Sequence, residues 1–289
     1  MRLLLLASAC VLAALTLAGS GRAGSVAQPA PEHNAVIELF TSQGCSSCPP
    51  ADALLGELAE RPGFVALSYS VDYWDYLGWR DTLGTPANSD RQRNYAKARG
   101  DGRVYTPQMV VDGVTHVNGG DEEALKAAVA AAEKRLAQVK VPIAMRADGD
   151  TLVIEVGAAP EGSDKRAATV WLAIAKEVEK VAVARGENRG RDLSYHHAVR
   201  ELTPIGIWHG EAMTLRLPLK DLKTMGGDCL FALLQVEDYG PILGAAEFEP
   251  GLTSAPDELP SVQIKRAGEK SDPSEFRGRN NPEGGTTRK

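Results

Sequence analysis

Ala35-Val36-Ile37-Glu38-Leu39-Phe40, followed after four residues by Cys45-Ser46-Ser47-Cys48-Pro49, is the stretch from which the fold and the candidate site can be predicted. The apolar, β-branched run indicates a buried strand. Pro49 suits the first turn of a helix, where the missing N–H costs no hydrogen bond. Two cysteines three positions apart at such a helix start share one face, so their sulfurs can form a disulfide. The stretch therefore predicts strand, loop and helix, with a Cys45–Cys48 disulfide at the junction.

The position of the cysteines at a helix N-terminus favours a reactive pair. Free N–H groups and partial positive charge there stabilise a thiolate on Cys45. We expect Cys45 to be the nucleophile, and Cys48, one turn deeper, to resolve the mixed disulfide. A passive bridge and a metal site are the alternatives. A four-residue ring removes little chain entropy, about 2 kcal/mol against about 4.7 kcal/mol for a 100-residue loop, so a purely structural bridge is the weaker interpretation.

The N-terminal segment predicts export. Residues 1–23 combine a charged start, an apolar run and small residues ending at Ala23, which is the pattern of a secretory signal peptide. The run is shorter than the about 20 residues of a membrane span. We therefore expect cleavage near Ala23, a secreted or periplasmic protein, and membrane attachment only through an uncleaved signal segment. Cleavage removes Arg2 and Arg22 and changes the formal net charge from −6 to −8; so acidic a chain is a poor nucleic-acid binder.

Residues 34–138 predict a mixed sheet flanked by helices. A strand at Val65–Val71 follows the first helix, and Asp112-Gly113 predicts a hairpin between two further strands. A last helix is expected after a cap at Asp121. Residues 72–105 form an insertion, in which a polar helix is predicted from a cap near Ser89 to Arg99. A strand–helix–strand unit followed by a hairpin and a helix can form one α/β domain.

Residues 139–250 predict an all-β, sandwich-like domain. Eight apolar runs follow one another there with little helix between them. After that, residues 251–289 are rich in Pro, Gly, Ser and charge, and predict a disordered tail. The expected organisation is therefore an α/β domain, a β domain and a tail.

The order of elements and the position of the cysteine pair resemble the thioredoxin fold. Thr106-Pro107 stands before the hairpin, where thioredoxin-like proteins carry a cis-proline that faces the two cysteines. The resemblance implies that Pro107 is cis and that the backbone of Thr106 docks an extended substrate beside Cys45. The chain departs from thioredoxin at Gly44, where tryptophan is expected, at Ser46-Ser47 in place of Gly-Pro, and in its insertion.

The chain is also similar to a family of secreted bacterial thioredoxin-like proteins of unknown function. The resemblance covers roughly residues 34–250 and rests on three segments, Glu38–Pro49, Tyr105–Gly113 and Gly186–Arg191. The resemblance implies a thioredoxin-like domain and does not identify a substrate.

Aromatic residues are dense at the start of the insertion, at Tyr73, Trp74, Tyr76 and Trp79. Two interpretations are open. The rings form a satellite cluster that fixes the insertion, or Trp74 and Trp79 form a substrate-binding wall beside Cys45, since partner proteins need an apolar landing surface.

The remaining candidate groups favour no cofactor and no metal site. His196 and His197 are neighbours on a predicted strand and should point to opposite faces, so they are poorly placed to bind one ion. We expect solvated or capping histidines. Cys229 lies in an apolar run and is expected to be a buried, inert thiol.

The sequence therefore predicts an exported thiol–disulfide oxidoreductase that acts on protein or small-molecule thiols and disulfides. Two alternatives come from other classes. The first alternative is a copper-binding or copper-delivery module, because soft thiolates suit Cu(I). The other is a non-catalytic interaction protein on the same scaffold. The oligomeric state is not predicted.

Overall fold

The computed structural model describes residues 35–163 and 166–249 as one compact unit. Its first half contains β1 (Ala35–Thr41), α1 (Pro49–Ala59), β2 (Phe64–Ser70), a 3₁₀ turn (Asp75–Leu77), α2 (Pro86–Arg99), β3 (Gln108–Val111), β4 (Thr115–Asn118) and α3 (Glu122–Leu136). Its second half contains β5 (Ile143–Asp148), β6 (Thr151–Val156), β7 (Ala168–Ala182), β8 (Asp192–Trp208), β9 (Met213–Pro218), α4 (Leu219–Lys223), β10 (Cys229–Val236) and β11 (Ile242–Phe248).

The first half forms the predicted mixed sheet. Strand β1 pairs in parallel with β2 and antiparallel with β3, which continues into β4. The Asp112-Gly113 turn between β3 and β4 has φ of 47° and 66°, the left-handed values that make such a pair favourable in hairpins. Helices α1 and α3 cover one face of this part of the sheet through a common apolar core. Strand β1 is buried along its whole length, as its apolar run predicts.

The sheet continues across the predicted boundary at residues 138 and 139. Its eight strands run in the order β11-β10-β7-β8-β2-β1-β3-β4, so that strands from both halves share one sheet. The link is parallel pairing of β2 with β8 at Ser68 and Ala198. Next to it, His197 adopts a left-handed backbone (φ 44°), and its Nδ1 lies 2.9 Å from the Ala66 carbonyl oxygen. His197 is therefore buried at the junction, which differs from the solvated or capping role that we predicted.

A second, three-stranded sheet with the order β5-β6-β9 belongs to the second half of the chain. Its apolar residues share a core with β7, β10 and β11 of the large sheet. The predicted β-rich half thus packs two sheets together, but one of them is the sheet of the first half. Alternating apolar residues show that a strand has a buried face; they do not show which neighbour pairs with its edges.

The insertion is fixed to the sheet by a buried ion pair. In α2, Arg91 Nε lies 2.7 Å from Glu38 Oε1 of β1, and its Nη2 also donates to Tyr95 Oη and Gln235 Oε1. Helix α2 begins at Pro86, capped by the Thr85 hydroxyl, which accepts from the Asn88 N–H. The predicted cap near Ser89 was therefore placed about one turn too late. Ser89 instead hydrogen-bonds to Asp72, at the start of the insertion.

The predicted signal peptide (residues 1–23) and the predicted tail (residues 251–289) lie outside the described residues. Within the part of the chain that the structure describes, no helix is long and apolar enough to cross a membrane.

Candidate functional site

The two cysteines lie in the loop that joins β1 to α1, and they form a disulfide. The N–H of Cys45 donates to the Ser42 carbonyl and that of Cys48 to the Cys45 carbonyl, which makes a tight double turn before the helix. Cys48 is the residue that precedes the first turn of α1. Cys45 retains 3% of its surface and Cys48 none, whereas Ser46 and Ser47 are exposed. Of the two sulfur-bearing residues, Cys45 is thus the one that touches solvent.

Thr106 and Pro107 lie beside this loop, and the peptide bond between them is cis. Gly119 has no side chain, so that Gly119, Ala51 and Pro107 can lie close together. A Cβ built on Gly119 would lie 2.8 Å from Ala51 Cβ and 3.1 Å from Pro107 Cβ. Since Ala51 is three residues after Cys48, the first turn of α1 and Pro107 both lie against Gly119.

Trp74 connects the cysteine loop to the Thr106 loop. Its indole Nε1 donates to Thr106 Oγ1 at 2.8 Å. A Cβ built on Gly44 would lie 3.0 Å from Trp74 Cβ, so the glycine before Cys45 makes room for the tryptophan of the insertion. The ring of Tyr76 stacks on that of Trp74 at a centroid distance of 6.3 Å, and Tyr76 is 77% exposed. Trp74 and Tyr76 thus form an aromatic surface at the edge of the site.

Trp79 contacts different residues from those that Trp74 contacts. Its Nε1 donates to Gln43 Oε1 at 2.8 Å, and its ring packs with Leu83, Val183, Leu193 and Tyr195. Gln43 is fully buried, and its own N–H donates to Asp81 Oδ2. Trp79 therefore holds the residue two positions before Cys45 and belongs to an apolar cluster that joins Leu83 of the insertion to residues of the second half. Trp79 thus helps to fix the insertion, as the first interpretation has it, and a substrate-binding role of Trp74 and Trp79 stays a prediction.

Asn188 joins the cysteine loop from the connection between β7 and β8. Its Nδ2 donates to the carbonyl oxygens of Gln43 (3.0 Å) and Cys45 (2.9 Å), and its side chain is fully buried. Its Oδ1 accepts from Arg191 Nη1 at 2.9 Å. The sequence predicts that Glu187–Arg191 is a polar loop between strands, with contact to the active-site face as the alternative, since loops often carry sites. The structure places Asn188 of this loop against two carbonyl groups of the cysteine loop.

We expect Asn188→Ala to loosen the cysteine loop. The change removes the Asn188 donor from the buried Gln43 carbonyl and from the Cys45 carbonyl, which keeps the Cys48 N–H. This loss should lower the free energy of unfolding by roughly 1–3 kcal/mol. It should also speed reduction of the Cys45–Cys48 disulfide by dithiothreitol. Urea denaturation and timed thiol alkylation measure the two effects. Arg189→Ala, an exposed change in the same loop, is the matched control, and equal behaviour of the two variants would show that Asn188 does not hold the loop.

A buried acid follows Cys48 by one helical turn. The Asp52 N–H donates to the Cys48 carbonyl at 3.1 Å, and Asp52 is only 5% exposed. Within the described residues neither of its carboxyl oxygens has a hydrogen-bond partner. Burial raises the pKa of Asp52 to about 8, the Thr41 hydroxyl opposes this rise, and the charge of Asp81 adds to it. The Thr41 hydroxyl is also without a hydrogen-bond partner among the described residues.

Two further groups surround Asp52. Asp81 is also buried, which raises its pKa, although the N–H groups of Gln43, Leu83 and Gly84 donate to it and oppose the rise. The hydroxyl of Tyr195 has no partner among the described residues, and burial raises the pKa of Tyr195 too. Sequence reasoning did not single out Asp52, because an acid in the first turn of a helix is ordinarily solvated and stabilised by the helix dipole.

Cys229 lies away from the cysteine pair, in β10. It is buried, and burial together with nearby acids, Asp228 first among them, raises the pKa of its thiol well above the ordinary range. Such a thiol is a poor nucleophile.

A comparison with protein families matches residues 36–235 to the family described as "Protein of unknown function (DUF1223)". No curated protein matches the chain.

Among solved structures, the chain is similar to protein AGR_C_4864 from Agrobacterium tumefaciens, with 34% sequence identity and a TM-score of 0.68. That match covers 78% of this chain and 99% of the other. It is also similar to HBP35 of Porphyromonas gingivalis, with 13% identity, a TM-score of 0.54, and coverage of 81% and 82% of the two chains. At that identity the second likeness concerns the fold alone, a mixed α/β architecture with a large mixed sheet and few helices.

Proposed function

Because the chain belongs to the DUF1223 family, whose description assigns no activity, we propose from the site itself that the protein is an exported thiol–disulfide oxidoreductase. The observation that carries the proposal is the joint position of Cys45 and Cys48. They lie at the N-terminus of α1, beside a cis Thr106–Pro107 bond, in a loop held by buried side chains of distant segments. A bridge that served only to crosslink the chain would gain little from so short a ring.

We propose that the first half is a thioredoxin-like unit and the second a sandwich-like one that shares its sheet. The order β2-β1-β3-β4, with α1 and α3 on one face, supports the first assignment. The core between β5-β6-β9 and the large sheet supports the second.

In the reducing direction, the Cys45 thiolate attacks one sulfur of a substrate disulfide. A Cys45–substrate bond forms and the substrate's other sulfur leaves as a thiolate. Cys48 then loses its proton and attacks Cys45 Sγ, which forms the Cys45–Cys48 disulfide and releases the second substrate thiolate. Two electrons have passed from the pair to the substrate, and the reverse sequence oxidises a dithiol.

The surrounding residues supply binding and proton transfer in this proposal. The backbone of Thr106 pairs with an extended substrate segment, and the aromatic surface of Trp74 and Tyr76 contacts its apolar side chains. Asp52, one turn from Cys48 on the same helix face, is the acid that exchanges a proton with the Cys48 sulfur. Substrates are protein or small-molecule thiols and disulfides met outside the cytoplasm.

The reduction potential of the pair tests the proposal. We expect purified protein lacking residues 1–23 to equilibrate with glutathione buffers at a potential between about −270 mV, typical of a reductant, and about −120 mV, typical of an oxidant. Alkylation of free thiols followed by mass measurement gives the oxidised fraction, and Cys229→Ala removes the third thiol from the count. A potential below about −300 mV, typical of structural disulfides, would contradict the proposal.

A further inference from the structure

A concentration of positive charge lies in the loop that connects β7 to β8. Residues 185–191 of this loop contain three exposed arginines, Arg185, Arg189 and Arg191, and one exposed acid, Glu187. The whole chain has a formal net charge of −6. The loop, which we call the arginine loop, is therefore opposite in sign to the molecule as a whole.

The arginine loop contacts the cysteine loop through Asn188. Arg191 Nη1 donates to Asn188 Oδ1, and Asn188 Nδ2 donates to the Cys45 carbonyl oxygen. One amide group therefore bridges the Arg191 guanidinium and the Cys45 backbone, so the charge lies within about 8 Å of that backbone, the Debye length at physiological salt. Salt screens a charge only partly at this distance. A molecule bound at Cys45 therefore experiences the charge of the arginine loop.

A second contact brings an arginine of the insertion to the same loop. A Cβ built on Gly186 would lie 3.2 Å from Trp79 Cβ. Arg185 precedes Gly186 and Arg80 follows Trp79, and both arginines are exposed. The fold thus brings together two arginines from distant segments, although neighbouring like charges repel each other and lower the stability of the folded state. An anion bound to both would offset that repulsion.

No acid of the described residues pairs with these four arginines. Within that part of the chain none of them forms an ion pair, and the hydrogen bond from Arg191 to Asn188 leaves its charge uncompensated, because the acceptor is an amide. Asp81 follows Arg80, but it is buried and accepts three backbone N–H groups. Guanidinium groups bind carboxylates through paired hydrogen bonds, so the four arginines are available to the acidic side chains of a partner.

The aromatic surface of Trp74 and Tyr76 lies on the same cysteine loop, next to Gly44. Tryptophan, tyrosine and arginine are the residue types enriched at the energetically important positions of protein interfaces. The negative charge of the rest of the chain does not oppose an acidic partner here, because charges farther away than about 8 Å are largely screened at physiological salt. A protein segment with acidic and apolar side chains therefore matches the surroundings of Cys45.

We propose that the segment of a protein substrate that reaches Cys45 is acidic, with carboxylates that pair with Arg80 and Arg185 and an apolar side chain on the Trp74–Tyr76 surface. This names the substrate class of the proposed thiol–disulfide exchange and rests on that function. Binding of the acidic segment itself requires no exchange, so the two can be tested separately. A nucleic acid is disfavoured, because a long polyanion extends beyond the arginine loop to the acidic remainder of the chain.

Fluorescence anisotropy of two labelled peptides without cysteine measures binding apart from exchange. The peptides share one sequence with a central Ser and a Phe, and the residues that flank the Ser are Glu in one and Lys in the other. At about 0.1 M salt, where the Debye length is about 10 Å, we expect the Glu peptide to bind about tenfold more tightly than the Lys peptide. At about 1 M salt, where the Debye length is about 3 Å, the two affinities should be nearly equal.

Substitution of the two neighbouring arginines tests which residues set this preference. The double variant Arg80→Gln, Arg185→Gln should reduce the ratio of the two affinities to about threefold or less. The matched control Arg146→Gln, Arg216→Gln removes the same charge from exposed ion pairs of β5 and β9 and should leave the ratio unchanged. The charge reversal Arg80→Glu, Arg185→Glu should make the Lys peptide the tighter ligand. Circular dichroism checks that all variants are folded.

The same two peptides, closed by a disulfide between a central and a terminal cysteine, connect the preference to exchange. Their reduction by the reduced protein, relative to the reduction of each peptide by dithiothreitol, should be about tenfold faster for the Glu peptide, mainly through KM. Equal affinity of the wild type for the Glu and Lys peptides, or an unchanged ratio in Arg80→Gln, Arg185→Gln, would overturn the proposal. Tighter binding of a single-stranded DNA with the same number of negative charges would overturn it as well. Preferential binding of the Glu peptide without reduction of either disulfide would support the acidic-segment site and contradict the oxidoreductase function instead.

Discussion

A Cys45→Ser variant is expected to lose thiol–disulfide exchange by about a thousandfold or more, the scale on which removal of a nucleophile acts. A serine hydroxyl is not ionised near neutral pH, and it cannot form the mixed disulfide through which exchange proceeds. The fold should survive, because the ring closed by Cys45 and Cys48 contributes only about 2 kcal/mol of chain entropy. Glutathione-coupled reduction of a peptide disulfide gives the rate, and circular dichroism checks the fold.

A Cys48→Ala variant should behave differently from Cys45→Ser. It retains the attacking sulfur and lacks the resolving one, so it should accumulate covalent adducts with glutathione and with partner proteins. Non-reducing electrophoresis and mass spectrometry detect these adducts, and Cys229→Ala serves as the control because its thiol is buried. If Cys48→Ala forms no adduct, and the double variant Cys45→Ser, Cys48→Ser behaves normally in cells, the alternative of a non-catalytic interaction protein is favoured.

An Asp52→Asn variant is expected to be more stable than the wild type at high pH and about equal to it at low pH. In the unfolded chain the carboxyl pKa is near 3.8, and in the folded protein it is about 8. Between these values only the folded state holds the proton, so unfolding releases it and the free energy of unfolding decreases as pH rises, by about 1.4 kcal/mol per pH unit. The stability contributed by the raised pKa is thus fully present below pH 3.8 and lost above pH 8.

Urea denaturation at pH 5 and pH 9 measures this effect. Between pH 5 and pH 9, the free energy of unfolding should decrease by about 4 kcal/mol more in the wild type than in Asp52→Asn. Asp90→Asn, which changes an exposed acid on α2, should follow the wild type. Parallel pH profiles for the wild type and Asp52→Asn would show that the pKa of Asp52 is the same in the folded and the unfolded chain, and would contradict the prediction.

Features defined by neighbouring residues could be predicted from the sequence. The β1–loop–α1 junction, the turn at Asp112-Gly113 and the cap at Asp121, which accepts from the Ala124 N–H, depend on contacts within a few positions of the chain. The cap of α2 was misplaced because Ser89 and Thr85 are both good capping residues, and it is the packing of Ser89 on Asp72 that distinguishes them. Local signals of equal strength cannot be ranked without the tertiary contacts.

That Cys45 and Cys48 meet at the start of a helix follows from the chain alone, because a separation of three residues and helical geometry suffice for it. The residues that surround the pair come from distant segments and depend on how these pack together. Asn188 is 143 positions from Cys45. Asp52 lies in the first turn of α1, and it is buried only because β8 and the insertion pack over it. The same holds for the eight-stranded sheet, whose halves join where β2 pairs with β8. Strand edges, burial and the pKa of a carboxyl group depend on which distant segments pack together, and periodicity along the chain carries no information about that choice.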